Sequence, residues 1–419
     1  MSRRTPRYLR WITVTPAVLF VATAVSLMAV VRARAAARSP ITRSAPLVAL
    51  SAAAFNEADV LDRDIAFYAA RAAGDASSAA DRITLARLLF ARSRTTGSVA
   101  DLARAEQLAR ASVALRTQRN GQAFELLATV LMARHAFAEA HAVAMQADSL
   151  APATSSHLAL LGEIELEMGD YETAATHFKA VYYDREQFTI GARLARWYEV
   201  TGRADLARLF LTRAIVSVDR RDDLPREQIA WFHYRLGELE LRVGRFAAAD
   251  SAFQDGLRRH PDDVRVLGAL SRLALAREDW ARAIEYGERA TGVQLDPTTL
   301  GAVSSAYQAQ GDTAQAAQSA HAMAVSALQQ PGVIHRAWGL FLLDHGTASE
   351  RADVLSRARR ELRDRHDVYG YDLVAWALYR NGDLAGARRE MTCALSQHTQ
   401  DQLLQMHAAA LGVAALPVE

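Results

Sequence analysis

The chain repeats one pattern of small and large apolar residues with a period of about 34 residues. The repeats extend from about Leu85 to about Leu395 and are clearest between Phe124 and Pro152. A fixed period of this length is typical of stacked supersecondary units, each of which contacts mainly its neighbours. A chain of 419 residues would otherwise suggest roughly two or three globular domains, but the repeat predicts one elongated array instead.

Each unit contains two apolar stretches with helical spacing, joined by a short turn. Small residues recur in the first stretch, at Ala128, Gly162, Ala195, Gly237, Ser271, Ser304 and Ala375. Turn glycines follow at Gly169, Gly202, Gly244, Gly311 and Gly382. Prolines such as Pro152 and Pro261 remove a backbone donor and end the second helix. Because a single helix pair cannot bury its own apolar face, several pairs must stack.

This pattern resembles the tetratricopeptide repeat, on the basis of small and large residues at fixed offsets. The resemblance covers most of the chain, in nine units at residues 81–117, 121–153, 155–187, 188–217, 230–262, 264–296, 297–329, 333–366 and 370–399. It implies an all-α fold, a right-handed α-solenoid of stacked antiparallel helix pairs. The chain departs from the family where the first unit is stretched at 93–100 and where the unit at 333–366 is irregular. No unit carries the family's tryptophan near its start in full register.

We divide the chain into five parts. Residues 1–10 are a basic N-terminal tail, 11–31 a hydrophobic helix, and 32–51 a flexible tether rich in Ala, Arg, Ser and Pro. Residues 52–399 form the solenoid, which opens with a leading helix. Residues 400–419 form a C-terminal capping helix and tail, since open solenoids need covered ends.

Residues 11–31 are uncharged and long enough to span a hydrocarbon core of about 30 Å. We interpret them as a single-pass membrane anchor. A cleaved signal peptide, with a small-residue site near residues 33–37, and a buried soluble helix are the alternatives. Flanking arginines are nearly balanced, but they slightly favour a cytoplasmic N-terminus with the repeats on the periplasmic or extracellular side. Secretion, or repeats on the cytoplasmic face, remain alternatives.

Composition excludes several kinds of chemistry. A formal net charge of +2 gives no basic field for nucleic acid. The only cysteine, Cys393, allows no disulfide framework and no four-thiolate zinc site, and we expect it to be buried as a small apolar residue. The only lysine, Lys179, is not part of a glycine-rich phosphate loop. No zinc-protease or nucleophile-elbow motif is present, so we expect no enzyme activity, no metal and no small-molecule cofactor.

The resemblance implies that the first helix of each unit lines a concave groove that binds a protein or peptide partner. Arginine and aromatic side chains dominate binding hot spots, and two zones of the groove are rich in them. The predicted groove residues are Arg196, Trp231, Tyr234, Glu238, Arg242, Arg265, Arg272, Tyr369, Trp376 and Tyr379. The alternative is that several of these aromatic residues pack between adjacent helices. Residues 216–228 lengthen one spacing between units and are expected to form a solvated loop.

The sequence therefore predicts a membrane-anchored scaffold that mediates protein–protein interaction or complex assembly through its groove. A soluble exported binding protein, produced by cleavage of the N-terminal segment, is the first alternative. An enzyme built on a helical-repeat scaffold is the second, and it would need a convergent polar cluster that the sequence does not show.

Overall fold

The computed structural model describes residues 56–329 and 335–414, and in these residues it contains twenty α-helices and no strand. The prediction of an all-α fold is confirmed. The helices are α1 (Glu57–Gly74), α2 (Ala79–Thr96), α3 (Val99–Leu115), α4 (Gly121–Ala133), α5 (Phe137–Leu150), α6 (Ser155–Met168), α7 (Tyr171–Ala180), α8 (Phe188–Val200), α9 (Ala204–Val218), α10 (Arg226–Arg242), α11 (Phe246–Arg259), α12 (Val264–Ala276), α13 (Trp280–Thr291), α14 (Pro297–Gln310), α15 (Thr313–Ala327), α16 (Arg336–His345), α17 (Ala348–Glu361), α18 (Val368–Arg380), α19 (Leu384–Ala394) and α20 (Gln402–Leu411).

The predicted tail, hydrophobic helix and tether at residues 1–51 lie outside the described residues. Within the described ranges, no helix combines the length and apolarity that crossing a membrane requires.

Helices α2 to α19 form nine consecutive pairs, in which a turn of two or three residues joins each first helix to its second helix. Each pair packs along its length, and such short turns make the two helices antiparallel. Helix α1 packs against α2, while α20 packs against α18 and α19 at the other end. The described chain is thus a solenoid of nine helix pairs with an additional helix at each end.

The solenoid curves toward its first helices. Nearly all first helices of adjacent pairs are in close contact with each other, whereas second helices of adjacent pairs are not. Helices on the inside of a bend are crowded and those on the outside are spread apart, so the first helices line the inner surface. We call this the inner surface throughout.

Small residues in the first helices admit aromatic rings from the second helices. A Cβ added at Gly237 would lie only 2.3 Å from the Phe253 ring, and one at Gly162 would lie 3.2 Å from the Phe178 ring. Phe178 and Phe253 are fully buried. The recurrent small residues of the sequence therefore set how closely the two helices of a unit approach.

Two local predictions are wrong. Cys393 is exposed, because the face of α19 that packs inward carries Ala387, Met391 and Ala394. Residues 216–228 do not form one loop. Helix α9 extends to Val218 and α10 begins at Arg226, so only residues 219–225 lie outside helices. The extra length in this unit is therefore absorbed largely by helix.

Successive turns of the superhelix touch about six units apart along the chain. His366 N donates to Met168 O at 2.7 Å, and Val368 N donates to the Tyr171 hydroxyl at 2.8 Å. Gln400 Nε2 donates to Gly202 O at 2.9 Å. The turns that follow α6, α8 and α10 therefore lie against the segments that precede α18 and α20. We call this contact between successive turns of the superhelix the seam.

Candidate functional site

Arginine and glutamate side chains alternate along the inner surface. Glu199 of α8 accepts a hydrogen bond from Arg235 Nη2 at 3.0 Å. Arg196 Nη1 lies 3.2 Å from the Glu199 carboxylate, and Arg242 of α10 donates to the same carboxylate. Three guanidinium groups thus surround one carboxylate whose side chain is only 5% exposed.

This arrangement continues in both directions along the inner surface. Glu238 binds Arg242 and Arg272, each at 3.4 Å, and so links α10 to α12. In the other direction, Glu167 of α6 lies 3.3 Å from Arg196 and 3.0 Å from Arg365. Arg365 belongs to the next turn of the superhelix, so the ionic network extends across the seam.

The arginines keep these buried carboxylates ionised. Burial alone would raise the pKa of Glu199, but the positive charges of Arg242, Arg196 and Arg235 outweigh burial and hold this pKa at about 2. The pKa of Glu238 is lowered in the same way, against burial, by Arg272 and Arg242. At neutral pH both residues are anions with fixed partners.

A cavity of about 260 Å³ lies where the inner surface of α8 and α10 meets the next turn of the superhelix at α16–α18. Its polar lining residues are His135, Arg196, Arg242, His335, Arg336, Glu361, Arg365, Asp367, Tyr369 and Asp401. These residues come from six different units or their connections, so the closure of the superhelix creates the cavity.

Four buried polar atoms of this lining have no hydrogen-bond partner among the described residues: Arg196 Nη1, Arg336 Nε, the Tyr369 hydroxyl and His335 Nδ1. The Arg196 Nη1 contact with Glu199 is ionic but lacks hydrogen-bond alignment. The Cζ atoms of Arg196 and Arg336 lie 5.4 and 5.3 Å from the centroid of the Tyr369 ring. Both guanidinium groups therefore flank one phenol, and each group presents an unused donor.

The two histidines of the cavity are neutral near pH 7. Burial, reinforced by the charge of Arg365, lowers the pKa of His135 to about 4. Burial also lowers the pKa of His335. Burial raises the pKa of the Tyr369 phenol, which therefore keeps its proton. The positive charge of the site is carried by arginines alone.

The structure brings five of the predicted groove residues together. Arg196, Arg242 and Tyr369 line the cavity, and Glu238 and Arg272 belong to the ionic network described above. Glu238 is only 2% exposed, so its role here is to hold arginines rather than to face solvent.

The other predicted residues of the middle zone lie apart from the cavity. Arg265 pairs with Asp263 at 2.6 Å and with Glu227 at 2.8 Å. The Trp231 ring packs edge-on against Phe232, with 4.8 Å between centroids, in a small apolar cluster between units. The Tyr234 ring is tilted against that of the core residue Phe253, with 6.4 Å between centroids. The two aromatic residues are thus partly used for packing between helices.

The predicted aromatic zone near the C-terminus forms a separate stack. Trp376 lies flat against His407 of α20 at 4.2 Å, and Tyr379 tilts against Trp376 at 5.2 Å. Trp376 Nε1 donates to Asp344 Oδ1 at 3.0 Å. Tyr379 remains 37% exposed. This zone holds the C-terminal helix in place and leaves one aromatic edge to solvent.

The sequence did not identify His135, His335, Arg336 and Arg365 as site residues. Arg336 lies about one repeat before Tyr369, so counting the period backward from the tyrosine would have placed it on the inner surface. The other three come from turns and connections between helices. They reach the cavity only because the superhelix closes, and no local pattern signals that closure.

Comparison with known families addresses the repeat directly. Residues 234–298, which span most of α10, all of α11 to α13 and the start of α14, match the family model of the tetratricopeptide repeat. This segment of the chain is therefore similar to the tetratricopeptide repeat. No curated protein sequence gives a significant match to the chain.

Several solved structures resemble parts of the chain. A Pseudomonas aeruginosa structure described as a functional characterisation of pilF is 16% identical, covers 53% of this chain and 96% of its own, and has a TM-score of 0.39. A tetratricopeptide repeat protein from Parabacteroides merdae is 15% identical, with coverages of 61% and 98% and a TM-score of 0.42. The human IFIT1 dimer with PPP-AAAA is 12% identical, with coverages of 76% and 90% and a TM-score of 0.46. At these TM-scores we base no argument about curvature or function on them.

Proposed function

We propose that this tetratricopeptide repeat chain is a scaffold that binds a protein or peptide partner on its inner surface. One observation carries the proposal: the polar side chains of that surface are already fixed by one another. Glu199 and Glu238 each hold two or more arginines in place. A surface that is ordered before binding loses little side-chain entropy when a partner docks.

Part of this surface remains open to a partner. The side chains of Arg272 and Arg242 are 26% and 29% exposed even though their charged ends contact Glu238. Partly exposed arginines beside aromatic rings such as Tyr234 are the kind of residues that dominate binding hot spots. The proposed contact region is therefore the inner surface from α10 to α14.

We propose binding rather than catalysis as the mode of action. A general acid or base works best when its pKa lies near the working pH. The inner carboxylates lie far from that condition, because arginines lower the pKa values of Glu199 and Glu238. An enzyme built on the same scaffold is the alternative, and it would require a substrate-linked activity that depends on the cavity residues.

Site-specific photo-crosslinking tests the inner-surface proposal. Ser305 lies on a first helix and Ser251 on the exposed side of a second helix, so the two serines form a matched pair. A photoreactive residue at position 305 should crosslink a discrete partner in cells, and one at position 251 should not. Equal yields of the same partner from both positions, or a partner only from position 251, would contradict the proposal.

We also propose that residues 11–31 anchor the chain in a membrane, with the repeats on the exported side. The support is their uncharged length and the slight excess of arginines before them. The full chain should sediment with membranes and resist alkaline carbonate extraction, and a version that starts at Ser39 should be soluble. A full chain that is soluble and begins near residue 36 would favour signal cleavage, and protease protection of the repeats in intact cells tests the orientation.

A further inference from the structure

The cavity at the closure of the superhelix contains more hydrogen-bond donors than the protein itself satisfies. We propose that it binds a small phosphate-class oxyanion, which Arg196, Arg336 and Tyr369 hold between two turns of the superhelix. This site adjoins the partner-binding surface proposed above and shares Arg242 with it, but the binding of an anion does not require a partner.

The chemistry of the unused atoms points to an anion. Arginine nitrogens can donate hydrogen bonds but cannot accept them. Arg336 Nε is therefore a buried donor that needs an acceptor, and the protonated Tyr369 hydroxyl can add a second. Arg196 Nη1 has an ionic contact with Glu199 at 3.2 Å but no aligned hydrogen bond, so it can contribute a third. A buried donor without a partner costs about 1–3 kcal/mol, so Arg336 Nε and the Tyr369 hydroxyl together indicate an acceptor that is not part of the described chain.

The acceptors nearest to these donors are already engaged elsewhere. Asp372 Oδ1 lies 2.7 Å from His407 Nδ1, while its other oxygen accepts from an Arg336 terminal nitrogen rather than from Nε. Glu199 accepts hydrogen bonds from Arg235 and Arg242, and its contact with Arg196 is ionic only. A rotation of these side chains to satisfy the cavity donors would break existing bonds.

One further carboxylate of the cavity is also committed. Asp401 Oδ1 accepts from the backbone nitrogens of Leu403 and Leu404 at the start of α20. Such an N-cap contact satisfies helix donors that would otherwise lack a partner. Asp401 Oδ1 is therefore occupied by backbone donors of α20 rather than by the cavity donors.

Size and access fit a tetrahedral oxyanion. The volume of about 260 Å³ exceeds that of a single water molecule, which occupies about 30 Å³ in the liquid. The side chains of Arg196 and Arg336 are 17% and 31% exposed, so solvent reaches the site. Guanidinium groups match the oxygen geometry of phosphate, and two of them lie within 5.4 Å of the Tyr369 ring centroid.

Thermal unfolding and calorimetry of the full chain in detergent test the proposal. Inorganic phosphate should bind and raise the midpoint of unfolding relative to chloride at equal ionic strength, because the folded state alone contains the site. Free phosphoserine should act like inorganic phosphate if a phosphomonoester also fits, and acetate should have no effect. Equal stabilisation by phosphate, acetate and chloride would mean that the cavity holds water only, and the proposal would fail.

Two tyrosines on α18 provide a matched pair of variants. Tyr369→Phe removes a hydroxyl that has no partner among the described residues, so the fold should be retained, and phosphate binding should weaken by roughly tenfold. Tyr379→Phe, on the same helix but outside the cavity, should bind phosphate like the parent chain. Unchanged affinity in Tyr369→Phe would overturn the assignment.

A second cavity variant allows the proposal to be tested even if Tyr369→Phe does not fold. Arg336→Lys keeps the positive charge beside Asp372 but removes Nε, and it should also weaken phosphate binding. If Tyr369→Phe failed to fold, wild-type phosphate binding and the loss in Arg336→Lys would still decide the matter. Phosphate affinity that is unchanged in Arg336→Lys would contradict the proposed contacts.

Discussion

The turn glycines of the repeat have different surroundings in the seam and in the middle units, which comprise α12 to α15. At Gly202, in the seam, a Cβ would lie 2.2 Å from the backbone oxygen of His398 in the next turn of the superhelix. At Gly311, which occupies the equivalent turn between α14 and α15, a Cβ would meet nothing within 4 Å. Both glycines adopt a left-handed backbone conformation, with φ of +73° and +84°. A turn glycine therefore permits a left-handed turn within its own unit. Where successive turns of the superhelix touch, it also leaves room for the backbone of a distant segment.

The two regions also differ in their ionic contacts. Arg365 in the seam donates to the Glu167 backbone and carboxylate, which lie almost 200 residues earlier in the chain. In the middle units, Arg277 instead pairs with Asp250 of the preceding unit, as expected of an open solenoid. The seam converts an array of neighbour contacts into a closed structure. The Arg365–Glu167 contacts should therefore stabilise the closure of the superhelix, while the Arg277–Asp250 pair acts between adjacent units only.

The largest expected effect distinguishes the two glycines. Gly202→Ala should cost about 3–4 kcal/mol, since alanine is disfavoured at positive φ and its methyl group would collide with the next turn. Gly311→Ala should cost only about 1–2 kcal/mol, from the backbone conformation alone. Urea unfolding measures both, and small-angle scattering should show a larger radius of gyration only for Gly202→Ala. Equal losses with unchanged radii would show that the seam does not constrain the superhelix.

A smaller effect should appear on acidification. The pKa of Glu199 is lowered to about 2 in the folded chain, so its ion pairs stabilise the fold fully above the usual glutamate pKa of about 4.5. This contribution, at most about 3 kcal/mol, is lost progressively as the pH falls toward 2. In Glu199→Gln, the dependence of unfolding free energy on pH should be shallower between pH 4.5 and 2.

An exposed carboxylate serves as the control for that titration. Glu172→Gln, in the first turn of α7, should reproduce the parent pH dependence. If Glu199→Gln and the parent chain had the same slope, the arginines around Glu199 would not stabilise its anion, and the ionic link between the middle of the inner surface and the seam would be absent.

Removal of one seam contact should have the smallest of the three effects. Arg365→Ala should cost about 2 kcal/mol, because it leaves Glu167 with one fewer cation in a partly exposed site. Arg359→Ala, at an exposed position on α17, is the control and should be close to neutral. Hydrogen exchange should accelerate at α6 and α18 in Arg365→Ala and stay unchanged at α12 to α14. Uniform acceleration would mean that the two regions are not distinct.

Much of the local structure could be predicted from the sequence, because each unit is governed by short-range rules. Gly237 and Gly162 indicated where the two helices of a unit approach closely, and the rings of Phe253 and Phe178 pack there. The five turn glycines indicated where the first helix of a unit ends, and all five lie in those turns with positive φ. Cys393 was misplaced because periodicity alone does not fix which side of a short second helix packs inward.

The candidate site was predicted only in part. Arg196, Arg242 and Tyr369 were expected on the inner surface because the repeat register places them there, and they line the cavity. That Arg336 and Arg365 would join them was not predicted, since their positions depend on how the next turn is placed. Whether a partner binds this surface stays a prediction.

The sequence by itself determined the helix pairs, the close approach of their helices and the left-handed turns, because these depend on residues within one period. Only the tertiary structure decided that the superhelix closes, that Glu167 meets Arg365, and that Arg196 and Arg336 flank Tyr369. The physical reason is cumulative geometry: a small rotation at each unit, summed over about six units, sets whether successive turns touch. The sequence of one repeat does not determine that accumulated rotation.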